Sequence, residues 1–169
     1  MQKATLLHNP KAGSESYTKK ELISLIEKEG IECIYSSVKD EGWDNINSKS
    51  DFIIVAGGDG TVRKVVKKLW KKAEQDKYPI ALLPLGTANN IAKTLDISGT
   101  EREVIKRWKN NKVRVMDAGN VSGMEEPHIF LESFGLGIFP VLMREMKDED
   151  TDAPEEKLNT ALAKLVDFG

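Results

Sequence analysis

The residue types and spacing best suited to chemistry lie in one octet, Val55-Ala56-Gly57-Gly58-Asp59-Gly60-Thr61-Val62. The apolar run Phe52 to Val55 before it is short, largely β-branched and flanked by turn signals, as a buried parallel strand should be. After it, Val62, Val65, Val66 and Leu69 recur at helical spacing. The glycines therefore sit at a strand-to-helix turn, with Asp59 in the turn itself. Lacking a Cβ, Gly57, Gly58 and Gly60 are expected to take positive φ and to let a ligand approach the backbone. The N–H groups that open the next helix are unpaired and lie at its positive end. Phosphate is the ligand such a turn binds. A tight turn with glycines for geometry alone is the plainer alternative, and it leaves the acid between them without a reason.

This loop is not one of the two commonest phosphate loops. No G-x-x-x-x-G-K-[ST] stretch is present, and G-x-G-x-x-G fails because Arg63 follows Val62 where a third glycine is required. Two further loops repeat the strand–loop–helix grammar. Ile80 to Leu83 leads into Pro84-Leu85-Gly86-Thr87-Ala88-Asn89-Asn90, with Ile91, Ala92 and Leu95 on one helical face. Ala4 to Leu7 leads into His8-Asn9-Pro10-Lys11-Ala12-Gly13-Ser14, followed by a helix carrying Leu22, Ile23, Leu25 and Ile26. Loops at the carboxyl ends of parallel strands converge on one crevice, so the three are expected to form one composite site.

Together the loops resemble the diacylglycerol kinase catalytic-domain family of lipid kinases. Its Asn-Pro-x-Ser-Gly opening, Gly-Gly-Asp-Gly-Thr turn and Pro-x-Gly-Thr-x-Asn loop stand here as Asn9-Pro10-Lys11-Ala12-Gly13, Gly57-Gly58-Asp59-Gly60-Thr61 and Pro84-Leu85-Gly86-Thr87-Ala88-Asn89. The resemblance runs over residues 3–140. Gly-Gly-Asp-Gly alone is shared with NAD kinases, and the Pro-Leu-Gly-Thr-Ala-Asn-Asn loop favours the lipid kinases. Ala12 departs from the family's Ser and removes a hydroxyl from the first loop.

The resemblance implies an ATP-dependent lipid kinase that moves the γ-phosphoryl group to a lipid hydroxyl with Mg²⁺. Asn9, Pro10, Lys11, Ala12, Gly13, Gly57, Gly58, Gly60, Thr61, Val62, Arg63, Gly86, Thr87 and Asn89 would contact the nucleotide. Asp59 would organise the metal, directly or through water, because an acid must hold the ion that neutralises charge on the β- and γ-oxygens. Turn chemistry is the competing reading for Asp59, Asn9 and Thr87, and helix capping for Thr61 and Asn89. The family's base lies in an Asp-Gly-Glu-type segment of a second domain, and the chain contains no such segment. The expectation is a nucleotide-binding domain with the start of a second, and little or no lipid phosphorylation by these residues alone. An NAD kinase relative and a non-catalytic nucleotide- or lipid-binding module are the alternatives.

The elements that must position these loops alternate. Strands are predicted at 3–8, 31–36, 51–56 and 79–83, and helices at 17–29, 43–48, 61–74, 89–96 and 101–109. That alternation predicts an α/β fold, a doubly wound, mostly parallel sheet. From residue 113 the pattern changes to short strands at 113–116, 118–121 and 128–134, so domains are placed at 1–112 and 113–169, the second β-rich and incomplete. Open strand edges there invite self-association, including a homodimer. A polar loop at 147–154 and a helix at 155–166 close the chain. Ile129 to Phe139 resembles the family's strand-turn into its second domain, with Glu132 in place of Asn.

Composition sets the bounds. The 169 residues are 40% hydrophobic with a formal net charge of −2, enough for a core and without a general drive toward nucleic acid. No run of about 18 apolar residues spans a membrane, and the start lacks an apolar signal region, which predicts a cytoplasmic protein. Cys33, the single cysteine, reads as a small buried hydrophobe in the second strand. Arg63, Lys64, Lys67, Lys68, Lys71 and Lys72 form a cationic run, read either as a solvated helix face or as a peripheral attraction to an anionic membrane. Asp148, Asp150 and Asp152 alternate as in a calcium loop, but Ala153 and Asn159 occupy the Gly and Glu positions, so that reading fails.

Overall fold

In the computed structural model of the protein, the described residues are 1–13, 17–72, 78–110, 113–123 and 128–133, with single positions 135, 140, 159 and 163. The elements run β1 (Gln2–His8), α1 (Lys19–Glu27), β2 (Ile31–Ser37), β3 (Phe52–Gly57), α2 (Asp59–Lys71), β4 (Ile80–Pro84), α3 (Asn90–Thr94), α4 (Glu101–Trp108), β5 (Gly119–Val121) and β6 (His128–Phe130). Two compact units divide the chain, Met1–Leu131 and Glu132–Gly169. The predicted loop at 147–154 lies outside the described residues. Of the helix predicted at 155–166 only Asn159 and Ala163 are described, both helical.

In the first unit, four strands form a sheet in the order β2-β1-β3-β4, every pair parallel. Parallel strands covered on both faces need apolar side chains in both directions, which is why Leu6-Leu7 and Ile53-Ile54-Val55 read as continuous runs. One face of the sheet (Ala4, Leu6, Ile54, Leu83) packs with Leu22 and Ile26 of α1 and Val104 and Ile105 of α4. The other (Leu7, Ile53, Val55, Leu82) packs with Val62, Val65 and Leu69 of α2 and Ile91 of α3. Period-two alternation along each strand thus supplies two cores, and the expected doubly wound sheet is present.

Helices α1 and α4 each begin with a complete capping box, Thr18 with Glu21 and Thr100 with Glu103. In both, a backbone N–H and the threonine hydroxyl draw the glutamate's pKa below its usual value.

Two predicted elements did not form. Residues 43–48 are turn and irregular backbone, not a helix. Trp43 and Ile46, three residues apart, pack against the core without a helix. Local bonds close the segment instead, from the Asn45 N–H to the Gly42 carbonyl and from the Ile46 N–H to that of Asp44. Long-range contacts from α2 then hold it: Lys72 bonds the Asp44 carbonyl at 2.8 Å, and Lys68 and Lys72 pair with its carboxylate at 3.4 and 2.8 Å. Lys64 donates to the Val38 carbonyl and lies 4.9 Å from the Trp43 ring centroid. Half of the cationic run is therefore fastening a loop.

Residues 113–116 likewise form no strand; Val113 is 73% and Val115 96% exposed. Alternating apolar residues make a strand only where a neighbour supplies a hydrogen-bond ladder and a surface to cover them. The hairpin expected beyond them is present, with β5 and β6 antiparallel, Asn120 opposite Ile129.

The Cys33 thiol is pushed up to about 12 by burial and by the nearby Glu27 charge, which fits an inert side chain in β2. Leu6 is fully buried between β2 and β3 and tests the core directly. Leu6→Ala should lower unfolding free energy by about 2–5 kcal/mol in a denaturant titration.

Candidate nucleotide-phosphate site

In a 2-1-3-4 parallel order the chain reverses direction between β1 and β3, and the loops leaving their carboxyl ends part around a crevice. The three polar loops leave β1, β3 and β4, and the structure brings all of them to this end of the sheet. The Asn9 N–H bonds the Ala56 carbonyl at 2.9 Å, and the Leu85 N–H bonds the Gly57 carbonyl at 3.1 Å. Each loop is thus registered on β3 before it turns away.

Close backbone approach explains the glycines. A Cβ on Gly58 would lie 3.0 Å from Gly86 Cα. One on Gly86 would lie 2.8 Å from Asn89 Oδ1 and closer still to Gly58 Cα. On Gly57 it would sit 2.5 Å from Thr61 Oγ1. The expectation of positive φ fails for Gly57, Gly58 and Gly60, which are absent from the positive-φ glycines. Gly13, at φ 57, is the first-loop glycine that uses it, with the Leu85 carbonyl where a side chain would be.

Helix α2 starts differently from α1 and α4. Its N-cap, Gly58, offers no side-chain acceptor, and the N–H groups of Thr61 and Val62 turn back to the Gly58 carbonyl at 2.9 and 3.2 Å. Among the described residues, the Asp59 and Gly60 N–H groups have no acceptor, like the first two N–H groups of α1 and α4, whose boxes bind only the N-cap and third-residue amides. Gly60 is exposed and a Cβ on it would meet nothing. A 13-residue helix with two open donors at its positive end offers an anion both hydrogen bonds and a favourable field.

The other predicted residues divide by role. Asn9 turns inward. Its amide donates to Thr61 Oγ1 at 3.1 Å, and its Oδ1 accepts the Lys11 N–H at 3.2 Å. With the Ala12 N–H bonded to the Asn9 carbonyl at 3.0 Å, two first-loop donors are used internally. Thr61 is 5% exposed, so its hydroxyl ties α2 to the first loop and does not cap the helix. Val62 is 6% exposed and belongs to the core. Pro10, Lys11, Arg63 and Thr87 are exposed, and Ala12 is half-buried. Asn89, at φ 50 and ψ 44, accepts the Gly86 N–H at 2.9 Å and donates to the Gly86 carbonyl at 2.6 Å. The side-chain helix cap, the alternative role for Asn89, is not formed; Asn89 closes its own loop.

Asp59 reaches furthest. Its Oδ2 accepts the Asn90 N–H and its Oδ1 the Ile91 N–H, both at 2.9 Å. Each carboxylate oxygen keeps a free lone-pair direction. Among the described residues no group of three His, Cys, Asp or Glu side chains is placed to hold a metal. One half-buried carboxylate suits Mg²⁺, which keeps most of its waters and takes further oxygens from phosphates.

Beside the first and third loops opens a cavity of about 310 Å³, lined by His8, Ala12, Gly13, Tyr17, Thr87 and Glu101 among others. Sequence reasoning missed His8 and Glu101; nothing in a strand-end histidine or a helix-opening glutamate marks them. His8 is 2% exposed, and its Nδ1 lies 3.1 Å from the Tyr35 hydroxyl. Burial lowers its pKa from the ordinary 6.5.

Comparison with known proteins places this arrangement. The diacylglycerol kinase catalytic domain matches residues 3–121, most of the chain and all three loops. The chain belongs to the diacylglycerol kinase catalytic-domain family. It is 30% identical over 135 residues to a diacylglycerol kinase of Bacillus subtilis, covering 73% of this chain and 43% of that one. With a mitochondrial acylglycerol kinase of Xenopus laevis it shares 32% identity over 105 residues, covering 56% and 24%. A solved diacylglycerol kinase structure from Bacillus anthracis superposes with a TM-score of 0.56 at 26% identity, covering 69% of this chain and 42% of that one. The chain therefore spans less than half the length of each of these relatives. Within the family fold, the Gly-Gly-Asp-Gly-Thr turn is the opening of α2.

Two outcomes follow from this geometry. Gly86→Ala forces its Cβ into Gly58 backbone, so it should destabilise the chain and weaken ADP binding at least about tenfold by calorimetry. Gly60→Ala has room and should leave the thermal midpoint unchanged or higher, yet weaken ADP by crowding the open amides. Burial disfavours the charged form of His8 in the fold, so the unfolded chain gains this proton first as pH falls through 6.5. Stability should therefore drop below that pH, and His8→Gln should flatten the dependence in denaturant titrations.

Proposed function

We propose that the chain is the nucleotide-binding part of an ATP-dependent lipid kinase, which transfers the γ-phosphoryl group to the hydroxyl of a lipid alcohol, diacylglycerol or a sphingoid-like base. The observation that carries the reading is the open N-terminus of α2, set between two loops at the sheet's switch point. The free N–H groups of Asp59 and Gly60 would hold a phosphate, with the Thr87 hydroxyl and the Lys11 ammonium on its flanks. Water-mediated contact with Asp59 would hold Mg²⁺, which supplies charge neutralisation at the transferring phosphoryl group. The residues of this chain bind and orient; positioning and electrostatics account for most of phosphoryl-transfer catalysis.

Acceptor choice and the general base belong, in this reading, to parts of the whole protein beyond residues 1–112. The 169 residues then bind nucleotide while transferring little phosphate. No helix among the described residues is long and apolar enough to cross a membrane. The exposed Trp70 lies on α2 off the flank that carries the fastened Lys64, Lys68 and Lys72, and we assign it, with the neighbouring Lys67, to peripheral contact with an anionic bilayer.

Calorimetric titration with Mg-ATP should give a dissociation constant in the micromolar to millimolar range. A folded chain that binds no nucleotide would sink the reading. With the full-length protein, label from γ-labelled ATP should enter a lipid extract; label appearing in NADP instead would transfer the assignment to an NAD kinase relative. Lipid transfer by these 169 residues at the full-length rate would relocate the base into this chain.

A further inference from the structure

We propose that Asp59 is a strap between the second and third loops, a positioning role separate from any contact with a metal. The proposal rests on the nucleotide reading above and deepens it. The geometry is specific. Helix α3 has five residues and no side-chain cap of its own: Asn89, at its N-cap, is left-handed and turns its amide back onto Gly86. A carboxylate from 31 residues earlier supplies the cap, one oxygen for each of the first two N–H groups. Charge-assisted, two-pronged bonds of this kind fix orientation as well as distance.

The strap acts on the site through Gly86. Asn89 rings Gly86 from behind, Asp59 fixes Asn90 and Ile91 in front, and the Leu85 N–H is pinned to the Gly57 carbonyl at 3.1 Å. The three together hold Gly86 against Gly58, next to the open amides of α2. Because the first two α3 donors are occupied by Asp59, the third loop offers a phosphate its Thr87 hydroxyl in place of those two amides. Freed of the strap, the third loop would move off Gly58 and take one wall of the phosphate site with it.

The two roles of Asp59 predict opposite signs in one experiment. In EDTA, with ADP as probe, a carboxylate that serves only a metal is a nearby negative charge, and Asp59→Asn should then leave ADP affinity unchanged or raise it. A strap predicts the reverse, a loss of about fivefold or more, since asparagine has one acceptor and places an NH₂ against an N–H. Hydrogen exchange gives an independent readout. The Asn90 and Ile91 amides, in the first turn of a five-residue helix, should be protected in the unmodified protein and exchange at least about tenfold faster in Asp59→Asn. Protection at Val55 and Leu83 should be retained, showing that the variant is folded. Unprotected Asn90 and Ile91 amides in the unmodified protein overturn the strap without any variant. Equal or tighter ADP binding by Asp59→Asn in EDTA also overturns it. If the unmodified protein binds no ADP at all, the nucleotide reading fails while the exchange data still decide the strap.

Discussion

The near-contact of two glycine backbones, Gly58 and Gly86, is the constraint on which the site depends. Parallel pairing brings the ends of β3 and β4 side by side, with Gly57 opposite Pro84, but strands alone leave their loops free to diverge. They meet here because neither residue has a side chain and because Asn89 and Asp59 hold the third loop in place. Glycine is required at this point by proximity, not by its backbone torsion. Strand, loop and helix residues are all arranged around that approach.

The helices of the first unit begin in three different ways. In helices α1 and α4 a Thr-x-x-Glu box satisfies the N-cap and third-residue N–H groups. Helix α3 is satisfied from a distance by Asp59. Helix α2 is left open at Asp59 and Gly60, although polar side chains are close by. Asn9 and Thr61, the nearest polar pair, bond each other. An open donor pair at a helix start costs stability unless water or a ligand satisfies it. In α2 the open pair sits beside the first and third loops, where an anion can satisfy it.

Much of the cationic run on α2 has a similar local explanation. Lys64, Lys68 and Lys72 recur every fourth residue, so they share one flank of the helix. The segment Val38 to Asp44 lies against that flank and supplies two carbonyls, an indole ring and a carboxylate. Lysines 68 and 72 hold the Asp44 pKa below its usual range, the bond from Lys72 being the larger influence. The side chains sit partly in solvent, so the pairs fix the segment's path more than they stabilise the whole.

The sequence by itself determined the parallel sheet, the alternation of its four strands with helices and the three loops, because continuous apolar strands, helical spacing and turn residues are local signals. It also marked Asp59 and the glycines as out of the ordinary for a plain turn. Only the tertiary structure decided what each does. Asp59 bonds amides 31 and 32 residues away, Asn9 is spent on Thr61, and Gly57 and Gly58 are glycines because a helix side chain and a neighbouring loop press against them. The absent helix at 43–48 and the absent strand at 113–116 have the same cause. Both carried the right local pattern, but long-range partners captured one and no described neighbour paired with the other. Periodicity reports which face of a segment is apolar; where its hydrogen bonds go is set by what packs beside it.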